Sequence, residues 1–266
     1  MQIEELISQI TELDNEARAK AQERFDNLIK PVGSLAKLEE MVSRYAGIIS
    51  KTDKNELDYP KRAILVWSDI TAAEETAKVM QGLWPINVLA AETKSDVETL
   101  MVMAEDKAEA LKEGAALVKE LVVKNKLQML GYGCLSAADN DIVLHAMAGG
   151  ILQAAALKVP VMLDGLATCK ALIIAAGYCE KVKQYCFAGH VSLEEGCEEA
   201  LQKAGLSAPL RLEITDGCGE GAALAFTLFD AGLKAYKEME TFAEAGVHAE
   251  VKEFSHAEQI KGEQAK

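Results

Sequence analysis

The chain has 266 residues, half of them apolar, enough for one large α/β core and a small helical appendage. A formal net charge of −14 disfavours binding to nucleic acid, whose affinity comes largely from Lys and Arg, and to anionic membranes. No apolar run approaches the roughly 20 residues needed to span a bilayer, and the acidic, amphipathic start MQIEELISQITELDNEARAK is unlike a signal peptide, so a cytoplasmic location is expected.

The first 58 residues read as helices only. One runs from near Asn15 to Ile29 and is stopped by Pro31; the next follows Gly33, with Ser34 as its N-cap. After the polar break NELDYPKR the pattern changes to short strands alternating with long helices. Strands are expected at Ala63–Trp67, Leu127–Leu130, Val159–Leu163, Tyr185–Ala188 and Leu210–Ile214. Helices are expected over 72–81, 95–123, 141–157, 168–176, 193–204 and 221–238. Such alternation implies a parallel sheet with helices on both faces. Residues 248–266 read as a charged, weakly helical tail. The expected division is a helical segment over 1–58, a large α/β domain over 59–238, and a segment over 239–266 that partly joins the first.

Six cysteines are scattered without a C-x-x-C pair, several in apolar stretches, and read as reduced, buried thiols. Neither a metal site nor a cofactor is indicated. Ligands of an open parallel sheet gather outside the carboxyl ends of its strands. Those ends carry SDIT, GYGCLSAADN, DGLAT, GHVS and TDGCGEGAA. These suit a phosphorylated sugar, although N-caps and tight turns account for each one alone. Gly217, Gly219 and Gly221 let backbone approach a ligand closely. Their G-x-G-x-G spacing, late in the chain, is not the dinucleotide fingerprint, and no P-loop is present. His190 and Ser192 are candidates for holding a phosphate.

Several segments, in order, resemble the nicotinate-nucleotide:dimethylbenzimidazole phosphoribosyltransferases, which activate the lower ligand of cobamides. They are RFDNLIKPVGSLAKLEEMVSRYAGI, INVLA, AGGILQAAALKVPVMLDGLATCKALI, AGHVSLEEG, GEGAALAFTLFDAG and TFAEAGV, spread over residues 14–247. The resemblance implies a Rossmann-like α/β fold with a small helical domain built from both chain ends, and a dimer. It also implies transfer of phosphoribose from nicotinate mononucleotide to an aromatic nitrogen or oxygen, with a general base contributing about 10²–10⁴-fold.

The same comparison marks departures. The family base is the Glu of L-G-E-G-x-G-A-A-L. Aligned on Gly221–Leu224, that position holds Cys218, and the nearest carboxylate is Glu220. A thiol with an ordinary pKa of about 8.5 is mostly protonated at neutral pH. The family loop G-E-M-G-I-G-N-T-T is here 131–139, without the Glu or the Asn-Thr-Thr, and G-D-H-G is Ser68-Asp69-Ile70-Thr71. Much of the sequence that lines the benzimidazole pocket in the family is missing. The expected function is one subunit of a heterodimeric phosphoribosyltransferase that uses phenol, p-cresol or benzimidazole. Its own site would be incomplete, and its partner would be a larger homologue that binds nicotinate mononucleotide and the aromatic base. The alternatives are an independently active enzyme with Glu220 as base and a non-catalytic binder of nucleotide or base. The candidate site residues are Glu220 for catalysis and Ser192, His190, Gly217 and Gly219 for substrate.

Overall fold

The computed structural model describes residues 2–215 and 217–246; the expected tail over 248–266 lies outside them. The described chain divides into two units. One comprises the residues up to Leu13 together with Tyr59–Leu228, the other Asp14–Asp58 together with the described residues from Phe229 onward. Residues 2–13 therefore group with the sheet, whereas the sequence pattern assigns them to the helical part.

The helical unit contains α2 (Asn15–Asn27) and α3 (Lys37–Ile49); α1 (Ile3–Ser8) precedes them in the sheet unit. Asp14 caps α2 by accepting the Ala17 amide. Ser34 does not cap α3. The helix opens at Lys37 after Ala36, which has a positive φ, and Glu39 reaches back to accept the Leu35 amide at 2.9 Å. Glu39 also receives the Lys30 ammonium at 2.8 Å, both side chains nearly buried. The conspicuous lysine of KPVGSL is thus committed to an internal ion pair. Edge-to-face ring pairs, Phe25 with Tyr236 and Tyr45 with Phe229, each 5.1 Å apart, fill this unit's core.

The sheet unit follows in chain order. It contains β1 (Arg62–Ser68), α4 (Ala73–Met80), α5 (Pro85–Glu92), β2 (Asp96–Met101), α6 (Lys107–Asn125), β3 (Met129–Cys134) and α7 (Asp141–Ala156). After these come β4 (Val161–Asp164), α8 (Gly165–Tyr178), β5 (Cys186–His190), α9 (Cys197–Ala204) and α10 (Glu220–Glu238). From Phe229 onward, α10 belongs to the helical unit. All strand pairs are parallel, in the order β2-β1-β3-β4-β5. This is a doubly wound α/β sheet, as the alternation of elements predicts, with its topological switch point between β1 and β3. RAILVWS is buried at every position, as a central parallel strand covered on both faces must be. Behind the sheet, α6 and α7 cross backbone to backbone. A Cβ on Gly114 would overlap the Ala146 carbonyl, and one on Gly149 would overlap that of Leu111.

Two element assignments are corrected. Residues 96–101 form the edge strand β2, not the start of a helix; half-exposed DVETLM pairs with β1 along one side only, so its polar residues read as a helix's first turn. Leu210–Ile214 is not a strand. It makes a single bridge to His190, and Glu213 lies at φ 58°, which breaks the extended run. The segment still flanks the end of β5, because Val191 and Leu193 donate to the Leu210 and Ile214 carbonyls. The sequence pattern assigns no element to Pro85–Glu92, which forms α5, a helix opened by proline at its first position.

Candidate active site

The candidate residues lie along the carboxyl edge of the sheet, in two groups. The first surrounds Asp164, the last residue of β4. It stands at the N-cap position of α8, yet its side chain makes no hydrogen bond to that helix. Instead Oδ2 accepts the amides of Gly219 at 3.1 Å and Gly221 at 2.9 Å. A strand-end carboxylate therefore caps α10 from across the sheet, where unsatisfied amides and the helix dipole favour a negative charge. The approach needs glycine: at 221 a Cβ would collide with Asp164 and His190, and Gly219 sits at φ 113°.

His190, ending β5, is buried beside Asp164. Its Nε2 accepts the Leu212 amide at 3.1 Å, which leaves Nδ1 to carry the proton of the neutral ring, 3.7 Å from Asp164 Oδ1. Two residues on, the Ser192 hydroxyl donates to Glu194 Oε2 at 2.7 Å, and the same oxygen accepts the Leu166 amide at 2.7 Å. Glu194 thereby occupies the N-terminus of α8. It fits there because positions 165 and 217 lack side chains; a Cβ at 165 would stand 2.9 Å from the carboxylate oxygen and one at 217 would stand 3.3 Å away. The Gly217 carbonyl accepts the Cys134 amide at 2.8 Å. Gly217, Gly219, His190 and Ser192 thus converge at the ends of β4 and β5, each with a polar group or close packing already engaged internally. Glu220, the first residue of α10, is 4% exposed.

The second group lies at the switch point between β1 and β3, where the strands run out into SDIT and GYGCLSAADN. Asp69 Oδ1 accepts the hydroxyls of Ser136 (2.9 Å) and Thr71 (2.6 Å), and Oδ2 accepts the Asn140 amide group at 2.6 Å. Burial opposes ionisation, but the donors from Thr71, Ser136 and Asn140 outweigh it and hold the carboxyl below the ordinary aspartate range. Asn140 also caps α7. The two loops are therefore laced together across the place where a doubly wound sheet usually admits its ligand. The sequence reading missed this network and the roles of Glu194 and Asp164. The partners lie far apart in the chain, and the available signals were only Asp69 in SDIT and Glu194 two residues after Ser192.

Between the groups, Cys218 is buried with its sulfur 3.8 Å from the Cys134 carbonyl. Gly133 admits this contact, since a Cβ there would overlap the Cys218 backbone. Burial pushes the neighbouring Cys134 thiol up to about 12. Among the described residues, no group of three or more His, Cys, Asp or Glu is placed to hold a metal ion, and no helix is long and apolar enough to cross a membrane.

Fold and site together define a doubly wound α/β protein whose polar residues gather at the strand ends, the edge at which such sheets handle small ligands. The phosphoribosyltransferase model DBI_PRT matches residues 10–122 and 107–247, and the chain belongs to that family. The nicotinate-nucleotide–dimethylbenzimidazole phosphoribosyltransferase of Ruminiclostridium cellulolyticum is 26% identical over 350 aligned positions, covering 93% of this chain and 98% of the relative. That of Geobacter metallireducens is 44% identical over 104 residues, 39% of this chain and 30% of the relative. Among solved structures, CobT from Thermus thermophilus superposes with a TM-score of 0.76 at 21% identity, covering 88% of this chain and 99% of that one. It shares the fold.

Proposed function

We propose that this chain is one subunit of a heterodimeric phosphoribosyltransferase of cobamide lower-ligand synthesis, and that it lacks a complete active site of its own. The enzyme class follows from the family and from relatives named for transfer to dimethylbenzimidazole. The subunit role is argued from position 218. A base must take a proton from the incoming nucleophile, and the aligned residue is a buried thiol against the Cys134 carbonyl. With an ordinary pKa of about 8.5, a thiol is a poor substitute for a carboxylate base at neutral pH.

Two further observations support the reading. The alignment with the clostridial relative runs over 350 positions although the chain has 266 residues, so that relative carries long segments with no counterpart here. The Asp69 network ties the loops after β1 and β3 together and engages the hydroxyls of Thr71 and Ser136 internally. The strand-end glycines, Asp164, His190 and Ser192 are retained as scaffold. In this reading nicotinate mononucleotide (the phosphoribose donor) and the aromatic base (phenol, p-cresol or benzimidazole) are held mainly by a fuller homologue. The helical unit with KPVGSL then offers a surface to that partner; a cavity of about 420 Å³ there is lined by Arg18, Gln22, Gly33, Glu39 and Glu40.

The second reading, an independent enzyme with Glu220 as base, draws on that carboxylate heading α10 two residues from Cys218. Co-expression with a full-length homologue separates the two. The subunit reading expects a stable complex of two different chains that forms the α-riboside phosphate. Recovery of this chain as an active homodimer would reject it.

A further inference from the structure

His190 ends β5, and the segment 210–214 lies along that strand end without forming a strand of its own. Three bonds tie the segment down. The Val191 amide donates to the Leu210 carbonyl at 2.9 Å and the Leu193 amide to the Ile214 carbonyl at 3.0 Å. Between them the Leu212 amide donates to His190 Nε2 at 3.1 Å. The middle tie thus ends on a titratable side chain and not on backbone. We propose that His190 is an acid-sensitive latch: its neutral ring holds 210–214 against the end of β5, and uptake of a proton releases that segment at the rim of the candidate site.

The geometry fixes where the proton goes. Nε2 accepts a backbone N–H, so it carries no hydrogen, and Nδ1 holds the one proton of the neutral ring. A second proton can enter only at Nε2. Two N–H donors then face each other, and the bond to Leu212 is lost. On its other side the charged ring meets a counter-ion. Asp164 Oδ1 lies 3.7 Å from Nδ1, both side chains are fully buried, and among the described residues neither atom makes a hydrogen bond. A carboxylate so placed favours the imidazolium. Glu220, a second buried carboxylate, heads α10 beside Gly221, which packs on His190. The charged groups of the other adjoining segments are engaged or exposed. Glu194 accepts the Ser192 hydroxyl and the Leu166 amide, Arg211 pairs with Glu198, and Glu213 faces solvent.

The segment is built to let go. Leu212 is half-exposed, so water takes over its amide once the ring releases it, and the cost of the lost bond is small. Glu213 is held at φ 58°, a left-handed backbone that costs a residue with a Cβ and persists only where its surroundings impose it. The segment runs on in sequence to Gly217, whose carbonyl accepts the Cys134 amide, so its release bears on the glycines at the rim.

The test follows the His190 ring and the Leu212 amide by nuclear magnetic resonance on the full chain, from pH 7.5 to pH 5.5, the range in which histidine serves as a switch. At pH 7.5 the ring should be the Nδ1–H tautomer, and at pH 5.5 both nitrogens should carry protons. Over the same range the protection of the Leu212 amide against hydrogen exchange, corrected for the intrinsic rate, should fall by about 10-fold or more. The Gly219 and Gly221 amides, held by Asp164, should keep theirs. In His190→Gln, whose side-chain oxygen can accept the same amide without titrating, Leu212 protection should not change with pH. The proposal is overturned by an Nε2–H tautomer at pH 7.5, by a ring still neutral at pH 5.5, or by Leu212 protection that survives protonation of the ring. The same pH-dependent loss in His190→Gln would also overturn it; should that variant not fold, the ring and amide signals of the unmodified chain decide alone. None of these readouts depends on the transferase reading.

Discussion

The two ends of the strand-end rim are built differently. At β4 and β5, single groups reach across the sheet. Asp164 caps α10, Glu194 caps α8, and glycines at 165, 217 and 221 let these carboxylates approach. Three stretches of the family resemblance, LDGLAT, AGHVSLEEG and GEGAAL, lie here. At β1 and β3, the crevice is bridged by short polar side chains around Asp69. Backbone-level packing holds the first region in place, because nearly any side chain added there meets main chain or a buried charge. The second depends on exchangeable side chains.

Gly221→Val should show the largest effect, since its side chain must displace Asp164 and His190. Overpacking there together with loss of the α10 cap should cost about 3–5 kcal/mol in denaturant unfolding, or prevent folding. Asp164→Ala should follow at about 2–4 kcal/mol, because the Gly219 and Gly221 amides are left buried without an acceptor. A loss below 1 kcal/mol for either variant would break the contrast between the two regions.

Asp69→Asn should cost less, about 1–2 kcal/mol near neutral pH, because Asn140 keeps its cap on α7. Asp69 has a lowered pKa, so its stabilisation is fully present above the unfolded value of about 3.9 and is lost as pH falls through the folded value. The variant should therefore lose less stability than the parent below about pH 4, read from unfolding midpoints across an acid series. Ser192→Ala should be mildest, about 0.5–1.5 kcal/mol for one hydrogen bond to Glu194. It should leave nicotinate mononucleotide binding to this chain unchanged in calorimetry; a marked loss of affinity would make Ser192 a ligand contact instead of a loop tie.

Much of the fold was legible because parallel strands buried on both faces are continuous apolar runs, as in AILVW, and because Gly and Pro punctuate the helices. The edge strand β2 escaped because one side of it is unpaired and its polar residues mimic a helix start. The candidate site was legible as a location but not as a network. His190, Ser192 and the glycines do converge, but Asp164 meets Gly219 and Gly221 across more than fifty residues of chain, and Asp69 meets Asn140 across a similar span. Local sequence carries no trace of such pairings. It did show a thiol at position 218, but not that this thiol is enclosed against the Cys134 carbonyl.

The most direct test of the central claim is nicotinate release by the purified chain alone, supplied with nicotinate mononucleotide and phenol, p-cresol or dimethylbenzimidazole and followed by chromatography. The subunit account predicts no release above the uncatalysed background. Turnover that falls by about 10²-fold or more on Glu220→Gln would contradict it and make this polypeptide a complete enzyme.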